Sequence, residues 1–439
     1  MRALVAVSLI LLTAGPLAAQ EFTTLKGHGG PVMGVAVHPE TGQVATSSFD
    51  NSVGLWDGRT PTWLEGHDAA VVTVQFVDAD TAVSGGDDFD VILWNLDDGT
   101  SARLEGHKGK VAEIALSPAG DRIATASWDG SVGLWSREGG EPRFLLGHNA
   151  SVSDVAFTSD GKRLYTSSAD GTIRLWQLDK PDGAPRVVVN QGFGVNQLVL
   201  GPDEAWLAYG AVDGVTRVVD PVSGKTLRDF SLDRRPILAM VHHAETDQLA
   251  VGDGLGYIMM IDTAEWRIAR DFRAMRNGPV WALDFSPKGD LIYAGGIEDV
   301  AFAWPVAALG EFDPAGGEQR SFLRDAGSMP NGERQFMRKC SICHALTPPP
   351  SRKAGPTLHK VFGRRAGTVP GYPYSDILNG SDIIWSDETI DALFDLGPDH
   401  YIPGSKMPMQ RITAPEDRQD LIEFLRFASG PNTATEKEN

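Results

Sequence analysis

Hydrophobic and polar residues alternate over short runs between about residues 22 and 305, and turns rich in Gly, Asp and Ser separate these runs. Alternation with a period of two residues predicts β-strands that bury one face. The pattern itself repeats every 40 residues or so, with Gly-His pairs that end at His28, His67, His107 and His148. Each unit closes on a tryptophan that follows an aspartate by six residues, in the pairs Asp50 and Trp56, Asp88 and Trp94, Asp129 and Trp135, Asp170 and Trp176. The N-terminal part is therefore predicted to be a repeat protein built from small sheets.

These units, such as "LEGHKGKVAEIALSPAGDRIATASWDGSVGLWS", resemble the WD-repeat family, in which four strands form one blade of a β-propeller. The His, a Ser or Thr, the Asp and the Trp nitrogen of one unit can form a hydrogen-bonded chain that satisfies polar groups inside the blade. The period continues to Val219, Ile261 and Trp304, although Leu255 replaces the acidic residue once. The repeat count therefore predicts seven blades.

The first strand is expected to close the ring. "EFTTLKGH" at residues 21–28 matches the pieces "PTWLEGH" and "SARLEGH" that precede later repeats. In the family that this chain resembles, the N-terminus supplies the outermost strand of the last blade. Residues 22–26 are therefore expected to pair with the strand that ends at Trp304, which would leave no free sheet edge.

A segment rich in Gly, Pro and Ala ends the repeats, and helical patterns follow it. We expect helices in "NGERQFMRKC", "DETIDALFDL" and "APEDRQDLIEFLRFAS", the last with Thr413 as its cap. The predicted fold class is a multidomain chain, an all-β seven-bladed propeller followed by a small all-α domain. The predicted boundaries are a signal peptide at 1–20, the propeller at 21–310, a linker at 311–328, the helical domain at 329–430 and a disordered tail at 431–439.

The only two cysteines of the chain lie in "KCSICH", where His344 directly follows Cys343. A C-x-x-C-H sequence is the attachment signature of c-type haem, because two thiols three residues apart can each bond one vinyl group of the porphyrin. A disulfide and a thioredoxin-like redox pair are the rival interpretations. Neither of them requires the histidine, and no βαβ pattern surrounds the motif.

Residues 329–430 resemble class I cytochrome c, of the mitochondrial and bacterial soluble type, through "GPTLHKVFGRRAG", "GYPYSDIL", "YIPGSKMPM" and "DLIEFL". The resemblance implies one covalently attached haem c, with thioethers at Cys340 and Cys343 and with His344 and Met407 as axial ligands of the iron. It also implies that the Pro356 carbonyl accepts a hydrogen bond from His344. Met409 is the chemical competitor of Met407, but the family places its ligand directly after a lysine.

The resemblance assigns three further residues to the haem propionates, which need hydrogen-bond donors when buried: Arg364, Tyr374 and Trp385. It also implies packing between the first helix, at Gly332 and Phe336, and the last helix, at Leu421 and Phe424. With both axial positions of the iron filled, such a haem transfers electrons rather than binding oxygen.

The net charge and the N-terminal segment limit the binding partners and the cellular compartment expected for this protein. The formal net charge is −19, and most of the acidity lies in the first 310 residues, so binding to nucleic acid is not expected. The start "MRALVAVSLILLTAGPLAAQ" has the layout of a secretory signal and is too short to span a bilayer comfortably. We therefore expect cleavage near residues 18–20, a soluble periplasmic protein and no insertion into the membrane after cleavage.

Two main function classes remain open from the sequence, and a scaffold whose cytochrome serves a partner bound by the propeller differs from the first of them only in what the complex does. The first is an exported electron carrier whose propeller docks redox proteins, with a basic set around the haem edge: Arg338, Lys339, Lys353, Arg364, Arg365, Lys406 and Arg411. The propeller itself is one acidic face that this set could meet. The second is a periplasmic oxidoreductase, with a substrate or cofactor site in the propeller and the haem as electron acceptor or donor. No catalytic constellation stands out in blades five to seven, so the residues favour the carrier.

Overall fold

The computed structural model describes residues 22–180, 183–231, 236–309 and 329–430. The predicted signal peptide, the linker at 311–328 and the tail at 431–439 lie outside these residues. Among the described residues, no helix combines the length and the apolarity needed to cross a bilayer.

The N-terminal part folds as the predicted propeller of seven blades, each a four-stranded antiparallel sheet. The strands of the first four blades are β2 (Val32–Val37), β3 (Val44–Ser48), β4 (Ser52–Asp57) and β5 (Thr60–Glu65); β6 (Val71–Asp78), β7 (Thr81–Gly86), β8 (Val91–Asn95) and β9 (Ser101–Leu104); β10 (Val111–Leu116), β11 (Arg122–Ser127), β12 (Ser131–Ser136) and β13 (Arg143–Leu146); β14 (Val152–Phe157), β15 (Arg163–Ser168), β16 (Thr172–Gln177) and β17 (Arg186–Asn190).

The last three blades contain β18 (Val195–Leu200), β19 (Leu207–Ala211), β20 (Thr216–Val219) and β21 (Thr226–Asp229); β22 (Ile237–His243), β23 (Gln248–Asp253), β24 (Tyr257–Asp262) and β25 (Arg267–Arg273); β26 (Val280–Phe285), β27 (Leu291–Gly296), β28 (Val300–Pro305) and, from the N-terminus, β1 (Thr23–Lys26). β1 pairs with β28 from Thr23 opposite Ala303 to Lys26 opposite Val300. The predicted closure of the ring is thus confirmed, and it removes the free edge of the last blade.

The hydrogen-bonded chain expected inside each regular blade is present. In the third blade, Trp135 Nε1 donates to Thr125 Oγ1 at 2.9 Å, and Thr125 Oγ1 lies 2.7 Å from His107 Nε2. The other ring nitrogen, His107 Nδ1, lies 2.9 Å from an oxygen of Asp129. The same chain links the corresponding residues of blades one, two and four. It satisfies polar groups that the packed sheets bury.

The sixth blade differs from this pattern. Leu255 occupies the place of the aspartate and is partly exposed, whereas Asp253, two residues earlier, is buried. The Asp253 carboxylate accepts hydrogen bonds from the backbone of Leu255 and Tyr257. The turn is therefore still held by a carboxylate, at the position that a serine occupies in blades one, three and four.

The C-terminal part is a helical domain with α1 (Asn331–Lys339), α2 (Asp376–Asn379), α3 (Asp387–Leu396), α4 (Pro398–Tyr401) and α5 (Pro415–Ala428). The first and last helices cross closely: the rings of Phe336 and Phe424 lie 5.4 Å apart, and a Cβ at Gly332 would stand 2.0 Å from the Asp420 carbonyl oxygen. Glycine at 332 is what allows this approach. The expected packing of the two helices is thus observed.

Thr413 does not cap α5, so that prediction was wrong. The N-cap residue is Ala414, without a side-chain hydrogen bond, and Pro415 occupies the first turn. A proline there has no N–H to satisfy and has a φ that already suits a helix. Helix α3, in contrast, has a complete capping box, in which Ser386 and Thr389 bond to each other's backbone N–H.

Candidate functional site

The two cysteines and His344 lie on one turn at the end of α1. The Cys340 N–H closes the helix on the Phe336 carbonyl, and the N–H groups of Cys343 and His344 then both donate to the Cys340 carbonyl. This tight turn is what the C-x-x-C-H spacing produces. Cys340, Cys343 and His344 all line the same cavity of the helical domain.

Burial makes this thiol pair unsuited to disulfide-exchange chemistry. Burial, followed by the neighbouring Cys343, raises the pKa of Cys340 to about 12, and burial also raises the pKa of Cys343. Reactive redox cysteines need a lowered pKa, because the thiolate is the nucleophile. The thioredoxin-like interpretation is therefore disfavoured by the surroundings of the motif.

His344 is held as a neutral imidazole with a defined tautomer. Its Nδ1 lies 2.8 Å from the Pro356 carbonyl oxygen, which can only accept, so Nδ1 carries the proton. Burial lowers the pKa of His344 below its ordinary value, although the hydrogen bond to Pro356 opposes this effect. Nε2 therefore keeps its lone pair, which is the form that a histidine needs to ligate a metal.

The segment behind His344 packs tightly against the imidazole. A Cβ at Gly355 would stand 2.5 Å from Cε1 and 2.7 Å from Nδ1 of His344, so only glycine fits. The preceding carbonyl, that of Ala354, accepts a hydrogen bond of 2.6 Å from the Tyr372 hydroxyl. Gly355 and Tyr372 were not singled out from the sequence, although Gly355 forms the "GP" pair with Pro356.

The two candidate methionines differ in position. Met407 lines the cavity and packs against the core of the helical domain, whereas Met409 is 54% exposed and lies outside the cavity lining. The sulfur of Met409 is close to Gly397, where an added Cβ would stand 2.7 Å from it. Of the two thioethers, Met407 alone is on the cavity wall.

The three residues assigned to propionates also line the cavity. The half-buried Arg364 donates to the carbonyls of His359 and Thr357 at 2.8 and 2.7 Å, and burial lowers its pKa. Tyr374 accepts a hydrogen bond of 3.3 Å from the Val369 N–H through its hydroxyl oxygen. Trp385 packs against the hydrophobic core of this domain. All three are thus at the cavity wall.

The cavity fits a large group with apolar faces and a polar edge. Its empty space, open solvent at the mouth included, is about 1480 Å³. Three buried side-chain oxygens that the helical domain contributes to its wall have no hydrogen-bond partner among the described residues: Ser375 Oγ, Ser405 Oγ and Gln410 Oε1. Buried polar atoms are normally paired, so these three fit a bound group with polar substituents. Together with two thiols, an imidazole and a thioether, they match haem.

The propeller supplies part of the same cavity. The sequence suggested only that the acidic propeller could meet the basic set around the haem edge, and not which of its residues do so. Six residues from blades one and two line it: Phe49, Asn51, Asp68, Ala69, Ala70 and Asp87. They lie in turns between strands, far in sequence from the haem motif. No local pattern distinguishes them from the equivalent turns of the other blades.

The adjacent histidines of the sixth blade have separate surroundings. His242 packs edge-on against Trp206 with 4.9 Å between ring centroids, and His243 Nε2 lies 3.2 Å from the Pro287 carbonyl oxygen. Within the described ranges, no group of three or more His, Cys, Asp or Glu side chains is arranged to hold a metal ion.

Comparison with known proteins agrees with this division of the chain. The family model "WD domain, G-beta repeat" matches residues 19–57, 100–136 and 140–177, and the model "Cytochrome c" matches residues 330–429. Cytochrome c of Sesamum indicum is 40% identical over 104 residues, which are 24% of this chain and 92% of that protein. Cytochrome c of Arabidopsis thaliana is 40% identical over 99 residues, 23% of this chain and 88% of that protein. The fungal cytochrome c of Cochliobolus lunatus is 39% identical over 101 residues, 23% of this chain and 93% of that protein.

A cytochrome c domain implies a haem cofactor and electron transfer, and a WD-repeat propeller implies protein interaction. The cavity contains the cysteines, the histidine and the methionine that such a cofactor requires. Through its C-terminal domain, this chain belongs to the cytochrome c family, and it joins that domain to a seven-bladed WD-repeat propeller.

Proposed function

We propose that this chain is an exported, periplasmic electron carrier with one haem c, joined to Cys340 and Cys343 and ligated by His344 and Met407. The supporting observation is the cavity in which these four side chains meet, with unpaired polar atoms in its wall. When bound, the haem supplies a reversible one-electron couple, and a methionine as the second ligand raises its potential.

The residues of the chain have separate tasks in this proposal. Pro356 fixes the orientation and tautomer of His344 by accepting its Nδ1–H. Arg364, Tyr374 and Trp385 lie at the wall to receive the propionates, and Arg364 brings a positive charge that suits them. The apolar lining excludes water from the faces of the group. The propeller, in turn, is the module that docks protein partners.

The test is an optical spectrum of the protein produced together with a haem-attachment system. The oxidised wild-type protein should show the weak sulfur-to-iron band in the far red. Met407→Ala should remove that band, because the thioether is lost from the iron. Met409→Ala is the matched control and should keep it. Haem and metal should be quantified for each chain in the same samples.

Other outcomes would contradict the proposal. Persistence of the band in Met407→Ala, together with its loss in Met409→Ala, would transfer the ligand role to Met409. A second bound cofactor in the propeller would instead favour the oxidoreductase hypothesis. Export has its own test: the mature protein should begin near residue 21, and recovery of only the full-length chain starting at Met1 would contradict a cleaved signal.

A further inference from the structure

The first repeat carries a glycine where the other regular repeats carry a side chain. The residue after each Gly-His pair donates its backbone N–H to the aspartate of the same blade, in the pairs Gly29 to Asp50, Asp68 to Asp88, Lys108 to Asp129 and Asn149 to Asp170. Asp68, Lys108 and Asn149 are exposed, so the blade itself tolerates a side chain here. At Gly29, however, a Cβ would stand 2.0 Å from the Arg352 carbonyl oxygen. The close approach of the cytochrome domain therefore explains this glycine.

Two cationic residues of the cytochrome domain, Arg352 and Lys406, make charged contacts with the propeller beside this point. Arg352 Nη2 lies 3.0 Å from Glu65 Oε1, and its guanidinium group lies 4.0 Å from the centre of the Trp63 ring. Lys406, adjacent to Met407, places its Nζ 2.6 Å from Asp68 Oδ1. The side chains of both ion pairs are partly exposed, so salt weakens these contacts.

The docked propeller forms part of the wall of the haem cavity. Phe49, Ala69 and Ala70 bring apolar side chains to the cavity wall, and Asn51 contributes a buried amide oxygen that has no hydrogen-bond partner within the described part of the chain. Gly30 and Pro31 of the propeller also line a second, smaller cavity together with Ser341 and Ile342, the two residues between the cysteines. The propeller therefore lies beside the motif segment as well as at the cavity wall.

We propose that the turns of blades one and two that line this cavity are a docking site for the chain's own cytochrome domain. They form a part of the cavity wall that is removed when the two domains separate. It rests on the function proposed above. A redox protein that exchanges an electron with the haem then competes with the propeller for the same surface of the cytochrome domain. Opening the interface exposes the haem edge, and closing it shields that edge from water and from partners.

The variant Gly29→Asn tests the proposal because it introduces a residue that the fourth blade accepts at the equivalent position. It should separate the domains by collision with the Arg352 carbonyl. The first readout is hydrogen exchange of the backbone amides of residues 49–51 and 68–70 in the haem-loaded full chain, and exchange should become faster. The second is the rate at which uncharged 1,4-benzoquinone oxidises the reduced protein. Each quinone takes two electrons from two reduced chains and two protons from water.

We expect oxidation of the wild type to accelerate by about five- to thirty-fold between about 0.01 M and about 0.5 M NaCl, because salt weakens both ion pairs. Gly29→Asn should be fast at both concentrations. The uncharged quinone is chosen because its encounter rate does not depend on the negative charge of the protein. Lys108→Asn, which places the same residue at the equivalent position of blade three, should behave as the wild type.

A second variant weakens the interface by reversing charges and keeps Gly29 in place. Glu65→Lys combined with Asp68→Lys should open the interface, whereas Glu138→Lys combined with Glu141→Lys makes the same change in charge on exposed residues of blade three. Unchanged exchange and oxidation rates in both opening variants would overturn the proposal. Faster hydrogen exchange with an unchanged rate of oxidation by the quinone would show that the interface opens but does not control access to the haem. The far-red band reports separately on the proposed function, since no variant alters a ligand.

Discussion

Gly355→Ala should destabilise the cytochrome domain through the histidine that it supports. The new Cβ would lie 2.5 Å and 2.7 Å from two atoms of the His344 ring and 2.9 Å from the Cys343 carbonyl oxygen. Overpacking of this kind costs about 1–3 kcal/mol. If the ring moves to relieve it, His344 Nδ1–H loses the Pro356 carbonyl, and a buried unpaired donor costs about 1–3 kcal/mol more. We therefore expect a loss of about 3 kcal/mol in the free energy of unfolding.

The assay is denaturant unfolding of the oxidised, haem-loaded full chain, followed by the main haem absorption band so that only the cytochrome domain is observed. The far-red band should also weaken in the native variant as His344 is displaced. Gly380→Ala is the control, because a Cβ there meets nothing closer than 3.9 Å and φ is −106°. A difference below about 0.5 kcal/mol between the two variants would refute the role assigned to Gly355.

Two further predictions concern the propeller. Thr125→Val should cost about 3 kcal/mol in tryptophan-monitored unfolding, because it leaves Trp135 Nε1 and His107 Nε2 without partners, whereas Thr125→Ser should retain most of the stability; equal stabilities would contradict the role of the hydroxyl. Burial raises the pKa of Asp284 to about 7 from 3.8, although hydrogen bonds from the N–H groups of Val37 and Phe285 oppose this shift. The protonated carboxyl group therefore stabilises the fold fully below pH 3.8, and this contribution is lost as the pH rises through about 7. The free energy of unfolding should therefore fall by up to about 4 kcal/mol between pH 4 and pH 8, and Asp284→Asn should reduce the fall; parallel pH profiles of wild type and variant would contradict this.

The sequence predicted the blades well because their signals are local. Strand alternation, the turn residues and the spacing of Gly-His to Trp all lie within one unit of about 40 residues. Even the fading of the pattern at Leu255 was visible, whereas the contribution of Asp253 to that turn required the backbone geometry. Thr413 was misjudged as a cap for a related reason: residue type suggested an acceptor, but the helix begins at Pro415, which makes Ala414 the N-cap residue.

The haem motif was equally accessible from the sequence, since the thiols and His344 must share one turn of backbone to act together. The order of the other motifs suggested which residues meet at a cavity, and the structure places Met407, Arg364, Tyr374 and Trp385 on its wall. Roles that depend on packing were not visible. The contact of Gly355 with the imidazole is one example, because glycine alone does not reveal what approaches it.

The repeat architecture, the helical domain and the chemistry available at "CSICH" follow from the amino-acid sequence, because each depends on residues close together in the chain. The contribution of the propeller to the cavity wall depends instead on how the two domains pack. Lys406 and Asp68 are 338 residues apart, and neither differs in type from many other surface charges. Contacts of this kind depend on how two completed domains fit together, and Gly29, a glycine that its own blade does not require, becomes interpretable only once Arg352 is seen against it.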